Sequence, residues 1–207
     1  MKSRIVKALL AAVCTVALAA PGLAQGVQPP PPPPNGHILP GQWAFDGSLG
    51  FAVPVGDFGT GLNTGLDVMG AVEYRPTVTG KIYFRGEIGY SDFGYSGANG
   101  SASVWRFGAN ALYDFDTHSA LQVYGIGGIG IYHVSQTLDL CGNAPFYSCS
   151  ESATGFGLNL GAGVRYPVNP VQLFFEIRYQ ISLTAPFGLG SAPYFPFQFG
   201  VRYLLPR

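Results

Sequence analysis

From Gln42 onward the side chains alternate between apolar and polar or small with a period of two, the mark of strands whose two faces meet different surroundings. In the first run Trp43, Phe45, Leu49, Phe51 and Val53 share one face, and Ala44, Asp46, Ser48, Gly50 and Ala52 share the other. The pattern recurs with Leu66, Val68, Val72 and Tyr74 against Asp67, Glu73 and Arg75, then with Ile82, Phe84, Ile88 and Tyr90 against Lys81, Arg85 and Glu87. Trp105, Phe107, Ala109, Tyr113 and Phe115 oppose Arg106, Gly108 and Asn110, while Phe156, Leu158, Leu160, Val164 and Tyr166 oppose Asn159, Gly161, Gly163 and Arg165. The last two runs set Leu173, Phe175, Ile177, Tyr179 and Ile181 against Glu176, Arg178 and Gln180, and Phe195, Phe197, Phe199, Val201 and Tyr203 against Gln198, Gly200 and Arg202. One further strand, Leu121 to Val134, has glycines at 125, 127, 128 and 130 and apolar residues on both faces, which predicts a bulge or tight bend.

The spacing predicts about eight strands of about ten residues, the length that crosses a bilayer at a tilt. Residues 75–80, 116–119 and 167–170 read as short turns. Between them lie longer links rich in Gly, Ser and Asn near 55–64, 91–102, 138–153 and 184–193. The fold class that follows is all-β: an eight-stranded antiparallel up-and-down transmembrane β-barrel. Short periplasmic turns, long extracellular loops and an even strand number would place both termini in the periplasm.

Composition turns a generic barrel into a membrane one. Charged residues are only 11% of the chain, against 47% hydrophobic and 14% aromatic, too few charges for an ordinary wetted surface. Beyond residue 25 no apolar run is long enough for a membrane helix, so a closed barrel is the remaining way to satisfy the backbone in lipid. A soluble lipocalin-like barrel with an apolar interior is the competing reading. The opposite face argues against it, because its small residues suit a narrow interior and its charges balance. Glu73, Glu87 and Glu176 can offset Arg75, Arg85, Arg106, Arg165, Arg178 and Arg202 in an enclosed ion network.

Ahead of the strands, Lys2, Arg4 and Lys7, an apolar run from Ala8 to Ala20 and a small-residue site at Gly22-Leu23-Ala24 read as a secretory signal peptide over residues 1–24. Its removal takes three of the eleven Lys and Arg and none of the eleven Asp and Glu, leaving a net charge of −3 and no footprint for nucleic acid. Residues 25–40 contain the unbroken run Pro29 to Pro34 and read as a polyproline II periplasmic linker, with the barrel occupying 41–207.

Pro54-Val55-Gly56-Asp57-Phe58, then Gly65 and Tyr74, and Tyr124-Gly125 with Gly128 and Gly130 resemble the outer-membrane β-barrel family that includes OmpA- and OmpX-type small barrels and opacity-type adhesins, often labelled porins. The stretch from Gln198 to Leu205 resembles that family's C-terminal assembly signal, with Gln198, Gly200, Tyr203 and Leu205 at its defining positions. The resemblance implies insertion by the barrel-assembly machinery, a setting of outer-membrane lipid and lipopolysaccharide in a Gram-negative cell, and contacts with extracellular ligands through the loops.

Few residues suggest chemistry. Cys141 and Cys149 share the third long link in an oxidising compartment and are expected to form a disulfide, since metal ligands at suitable spacing are lacking. His133, Ser135 and Glu151 are the parts of a hydrolase triad near one strand end. Outer-membrane lipid A deacylases use such a set, but with the His-x-Ser motif near the C-terminus, where this chain has Arg178-Tyr179-Gln180-Ile181-Ser182. The expectation is therefore no enzyme, cofactor or metal, and a structural or adhesive surface barrel. A narrow solute channel is the second reading, and an eight-stranded barrel barely holds its own side chains.

Overall fold

The computed structural model describes residues 38–77, 80–96, 100–115, 117, 119–138, 149–186 and 188–206. Eight strands are built by the alternating runs: β1 (Trp43–Pro54), β2 (Gly65–Tyr74), β3 (Ile82–Gly94), β4 (Gly100–Phe115), β5 (Gln122–Leu138), β6 (Cys149–Val168), β7 (Val171–Ser182) and β8 (Ala192–Leu204). Each pairs antiparallel with the next, and β8 pairs with β1 to close the barrel. Closure leaves no lateral sheet edge in the bilayer, where an unpaired amide has no water to bond.

The register fixes the barrel's dimensions. Starting at Ala44, successive partners are Glu73, Arg85, Asn110, Gly128, Asn159, Gln180 and Tyr194, and the circuit returns to Pro54, ten residues further along β1. Ten residues at about 3.3 Å each, over a circumference of eight spacings of about 4.8 Å, tilt the strands by roughly 40°. At that size side chains fill the interior.

The burial pattern is that of a soluble protein turned inside out. Leu49, Phe156 and Leu160 are 64%, 73% and 71% exposed, whereas Arg85, Arg106, Arg165, Arg178 and Arg202 are each 1% exposed. The alternation thus points its apolar face outward, and the lipocalin-like reading is excluded. Outward aromatics pair across neighbouring strands near both ends, Trp43 with Tyr74 at 4.5 Å and Tyr90 with Trp105 at 4.8 Å between ring centres, where amphipathic rings suit a membrane interface.

Three expectations are corrected. The glycine-rich strand carries no bulge: β5 pairs continuously with β4 from Phe115↔Val123 to Gly100↔Leu138, and with β6 from Gln122↔Arg165 to Leu138↔Cys149. Its glycines serve close approach instead. A Cβ on Gly128 would collide with Asn110 Oδ1 and with the Ala109 carbonyl. The second long link shrinks to residues 95–99, because β3 and β4 zip further than composition suggests, and Phe93 is wholly buried in the lumen rather than on a loop. The strands are also unequal. β4, β5 and β6 reach 16, 17 and 20 residues, while β2 has 10.

The signal peptide and most of the Pro-rich linker lie outside the described residues. The last linker residues are placed. Leu39-Pro40-Gly41-Gln42 forms a β-turn, closed by the Gln42 N–H donating to the Leu39 carbonyl at 3.0 Å and permitted by Gly41 at φ 78°. The turn directs Ile38 back among Ala44, Leu112 and Leu204, leaving it 1% exposed.

Candidate functional site

The lumen is stacked in layers. At the end bearing the long links, Phe58 from the 3-10 turn Gly56–Gly59 packs edge-on against Phe93 at 5.7 Å, in an apolar cluster with Val104, Tyr132, Val134 and Tyr194. At the end bearing the termini, Ile38 joins Tyr83, Leu112, Tyr124 and Ile126. Between these clusters runs a belt of charge.

Among the described residues, six buried carboxylates, on Asp46, Asp67, Glu73, Glu87, Asp114 and Glu176, face five buried guanidiniums. Asp67 accepts from Ser91 at 2.6 Å, from Arg106 at 2.7 and 3.2 Å and from Gln198 at 2.5 Å. Arg178 donates to both oxygens of Glu87, at 2.8 and 2.9 Å, and its Nε lies 2.9 Å from Glu176. Glu176 accepts in turn from Arg85 at 2.8 Å and from the Tyr124 hydroxyl at 2.6 Å. Glu73 closes the belt, accepting from Arg85 at 2.8 Å, from Arg165 at 3.2 Å and from Arg202. Arg165 also lies 3.8 Å over the Tyr124 ring. Unpaired charge is very unfavourable away from water, and shared ion pairs with hydrogen bonds make this burial tolerable.

Eight of the nine charged residues assigned to the interior from sequence lie in this belt. Arg75 does not: it follows β2, and its guanidinium donates to the backbone carbonyls of Ile38, at 2.7 Å, and Gly80. Its parity was right, but the strand ends one residue earlier, so the side chain ties the segment before β1 to the β2–β3 turn. Sequence reasoning left Asp46, Asp67, Asp114, Tyr83 and Tyr124 out of the network, although each occupies an inward position of its strand's alternation.

The assembly-signal residues have structural places here. Gln198 bridges Asp67 and Arg178, and a Cβ on Gly200 would collide with the Phe174 ring. Tyr203 points outward, and the Leu205 N–H donates to the Trp43 carbonyl at 3.0 Å. Cys149 opens β6 opposite Leu138, while Cys141 lies outside the described residues.

The hydrolase parts are not brought together. His133 and Ser135 lie on the outward face of β5, with His133 Nδ1 2.7 Å from Thr154 Oγ1. Glu151 pairs with Gln136, which is buried and points inward, so its side chain lies on the opposite face of the sheet. A strand's alternation separates what sequence proximity suggested.

The model of the outer membrane protein beta-barrel domain matches residues 8–203. A search of the curated proteins gave no match. Among solved structures the chain is similar to Neisserial surface protein A, at 22% identity over 78% of this chain and 96% of that one, with a TM-score of 0.60. It also resembles a major outer membrane protein from Thermus thermophilus, at 14% identity over 79% and 98%, with a TM-score of 0.54. These likenesses are to the fold, an eight-stranded outer-membrane barrel. The chain belongs to the outer membrane protein beta-barrel domain family.

Proposed function

We propose that the protein is a non-enzymatic outer-membrane barrel with a sealed lumen, whose working surface is the end formed by the long links. The observation that carries this reading is the filled interior: two apolar clusters enclose a belt in which each of the five buried arginines lies within ion-pairing distance of a carboxylate. A conducting path would have to break several of these pairs at once. The barrel sits with its termini and short turns in the periplasm and its long links outside, and Cys141 and Cys149 are joined so as to restrain the third link. Adhesion or a structural role suits this surface better than solute passage.

Planar-bilayer recording tests the seal. The purified barrel is expected to give no discrete conductance steps at physiological salt, and neither is Arg106→Ala, since the apolar clusters still close both ends. Regular steps that change size in Arg106→Ala would replace this reading with the narrow channel.

A further inference from the structure

β8 carries a proline in mid-strand, and the barrel wall shows its effect. The β7–β8 ladder runs from Val171↔Tyr203 to Ile177↔Phe197 and resumes at Gln180↔Tyr194, so Arg178 and Tyr179 have no register partner in Pro196 and Phe195. On its other side β8 pairs with β1 without a break, Ala52↔Pro196 included. The Val55 N–H donates to the Pro193 carbonyl, so odd-numbered residues of β8 turn their backbone groups toward β1 and even-numbered ones toward β7. Pro196, which has no N–H, therefore stands where the Arg178 carbonyl needs a donor. In a barrel crossing lipid such a carbonyl must find its donor elsewhere. Tyr179 and Phe195 cover the outer side of the gap, their ring centres 5.1 Å apart, so that donor has to come from the lumen.

Two buried amides beside the gap are each half used. Gln180 is the next inward residue of β7. Its Oε1 accepts from the Tyr194 hydroxyl at 2.7 Å, and its Nε2 has no partner among the described residues. Asn159 lies opposite Gln180 on β6. Its Nδ2 donates to Asn110 Oδ1 at 2.8 Å, and its Oδ1 has no partner among the described residues. Inward side chains of directly opposed residues start about 5 Å apart, close enough to share a small ligand.

The chemistry of these groups defines that ligand. The Arg178 carbonyl and Asn159 Oδ1 are acceptors, and Gln180 Nε2 is a donor. A cation would face the amide protons, and an anion would face the two oxygens. A water molecule gives two protons and accepts a third, which makes about three hydrogen bonds, the usual number for a buried water. We infer that the lumen holds one buried water at the β7–β8 seam, donating to the Arg178 carbonyl and Asn159 Oδ1 and accepting from Gln180 Nε2. It replaces the backbone hydrogen bond that Pro196 removes, and so lets β8 carry a proline inside the membrane.

Nuclear magnetic resonance of the glutamine-labelled protein folded in lipid nanodiscs tests the site, with the Gln180 side-chain signal assigned by its loss in Gln180→Met. A direct cross-peak between water and the Nε2 protons is expected. A soluble paramagnetic relaxation agent should leave it intact, because the water is closed off from the bulk. Asn159→Leu should abolish the cross-peak. Pro196→Val, which returns the backbone N–H, should lower it at least about twofold, since one of the three bonds is then made by the backbone. Heat-modifiable gel migration shows whether each variant is folded. A resolved Gln180 signal with no water cross-peak, or one coupled through a hydrogen bond to the Asn159 side-chain carbonyl, would overturn the proposal. Unchanged intensity in the folded Asn159→Leu or Pro196→Val protein would do the same. A cross-peak quenched by the relaxation agent would also overturn it, by putting bulk water in the lumen, and that outcome alone would count against the sealed barrel as well.

Discussion

Glu73 and Asp46 show how differently two buried carboxylates in one belt can be held. Glu73 accepts hydrogen bonds from three arginines that belong to β3, β6 and β8, so it ties together strands far apart around the barrel. Asp46 is equally buried, yet neither of its oxygens accepts a hydrogen bond from the described arginines. The nearest guanidinium nitrogens are 3.4 Å away on Arg85 and 3.6 Å away on Arg202. Glu73→Gln replaces an acceptor with an amide that points a donor at guanidiniums, and breaking a buried pair in this way costs about 3–5 kcal/mol. Asp46→Asn removes the carboxylate in excess of the five arginines and no accepted hydrogen bond. Urea unfolding in the same bilayer should therefore show a large loss for Glu73→Gln and a change within about 1 kcal/mol, of either sign, for Asp46→Asn. Equal losses would show that the belt responds only to net charge, without regard to geometry.

At the scale of elements, the faces of the strands were legible in the alternation, and the reason is physical: each side chain has only two directions, and lipid and lumen demand opposite chemistry. That is why Arg85, Arg165 and Arg202 could be placed inside from sequence alone. Strand ends were less legible. Gly94 and Gly100 look like loop residues, but the hairpin they flank continues through register that only pairing partners determine. The glycines of β5 read as a bend because composition cannot reveal that Asn110 and Tyr132 press against them. The hook at Ile38 was hidden for a related reason, since an isolated pair of apolar residues, Ile38 and Leu39, after a proline run carries no period. Its placement has a measurable consequence. Truncating Ile38 to Ala should destabilise the barrel by about 2–3 kcal/mol. A cysteine at Leu112, which Ile38 covers, should then react much faster with a water-soluble thiol reagent, read by mass spectrometry at that site. Unchanged reactivity would mean that the hook lies on the mouth without closing it.

For the whole molecule, the two ends differ in every property that the pairing and the sequence define. One end has connections of 2 to 7 residues at 75–81, 116–121 and 169–170, the termini, and Arg75 and Lys81. The other has links of up to 10 residues, the tall β4–β6 wall and no cation in any link. In barrels of this kind the long loops lie outside and the short turns in the periplasm. Under the proposed orientation the tall β4–β6 wall stands beyond the outer leaflet, where a partner can reach it. Orientation is therefore the premise on which the working surface depends. A short epitope inserted between Gly188 and Leu189 should bind antibody on intact cells, whereas the same epitope after Thr77 should bind only once the outer membrane is permeabilised. The reverse pattern would turn the barrel over, leaving the long links in the periplasm and moving the proposed working surface to that compartment.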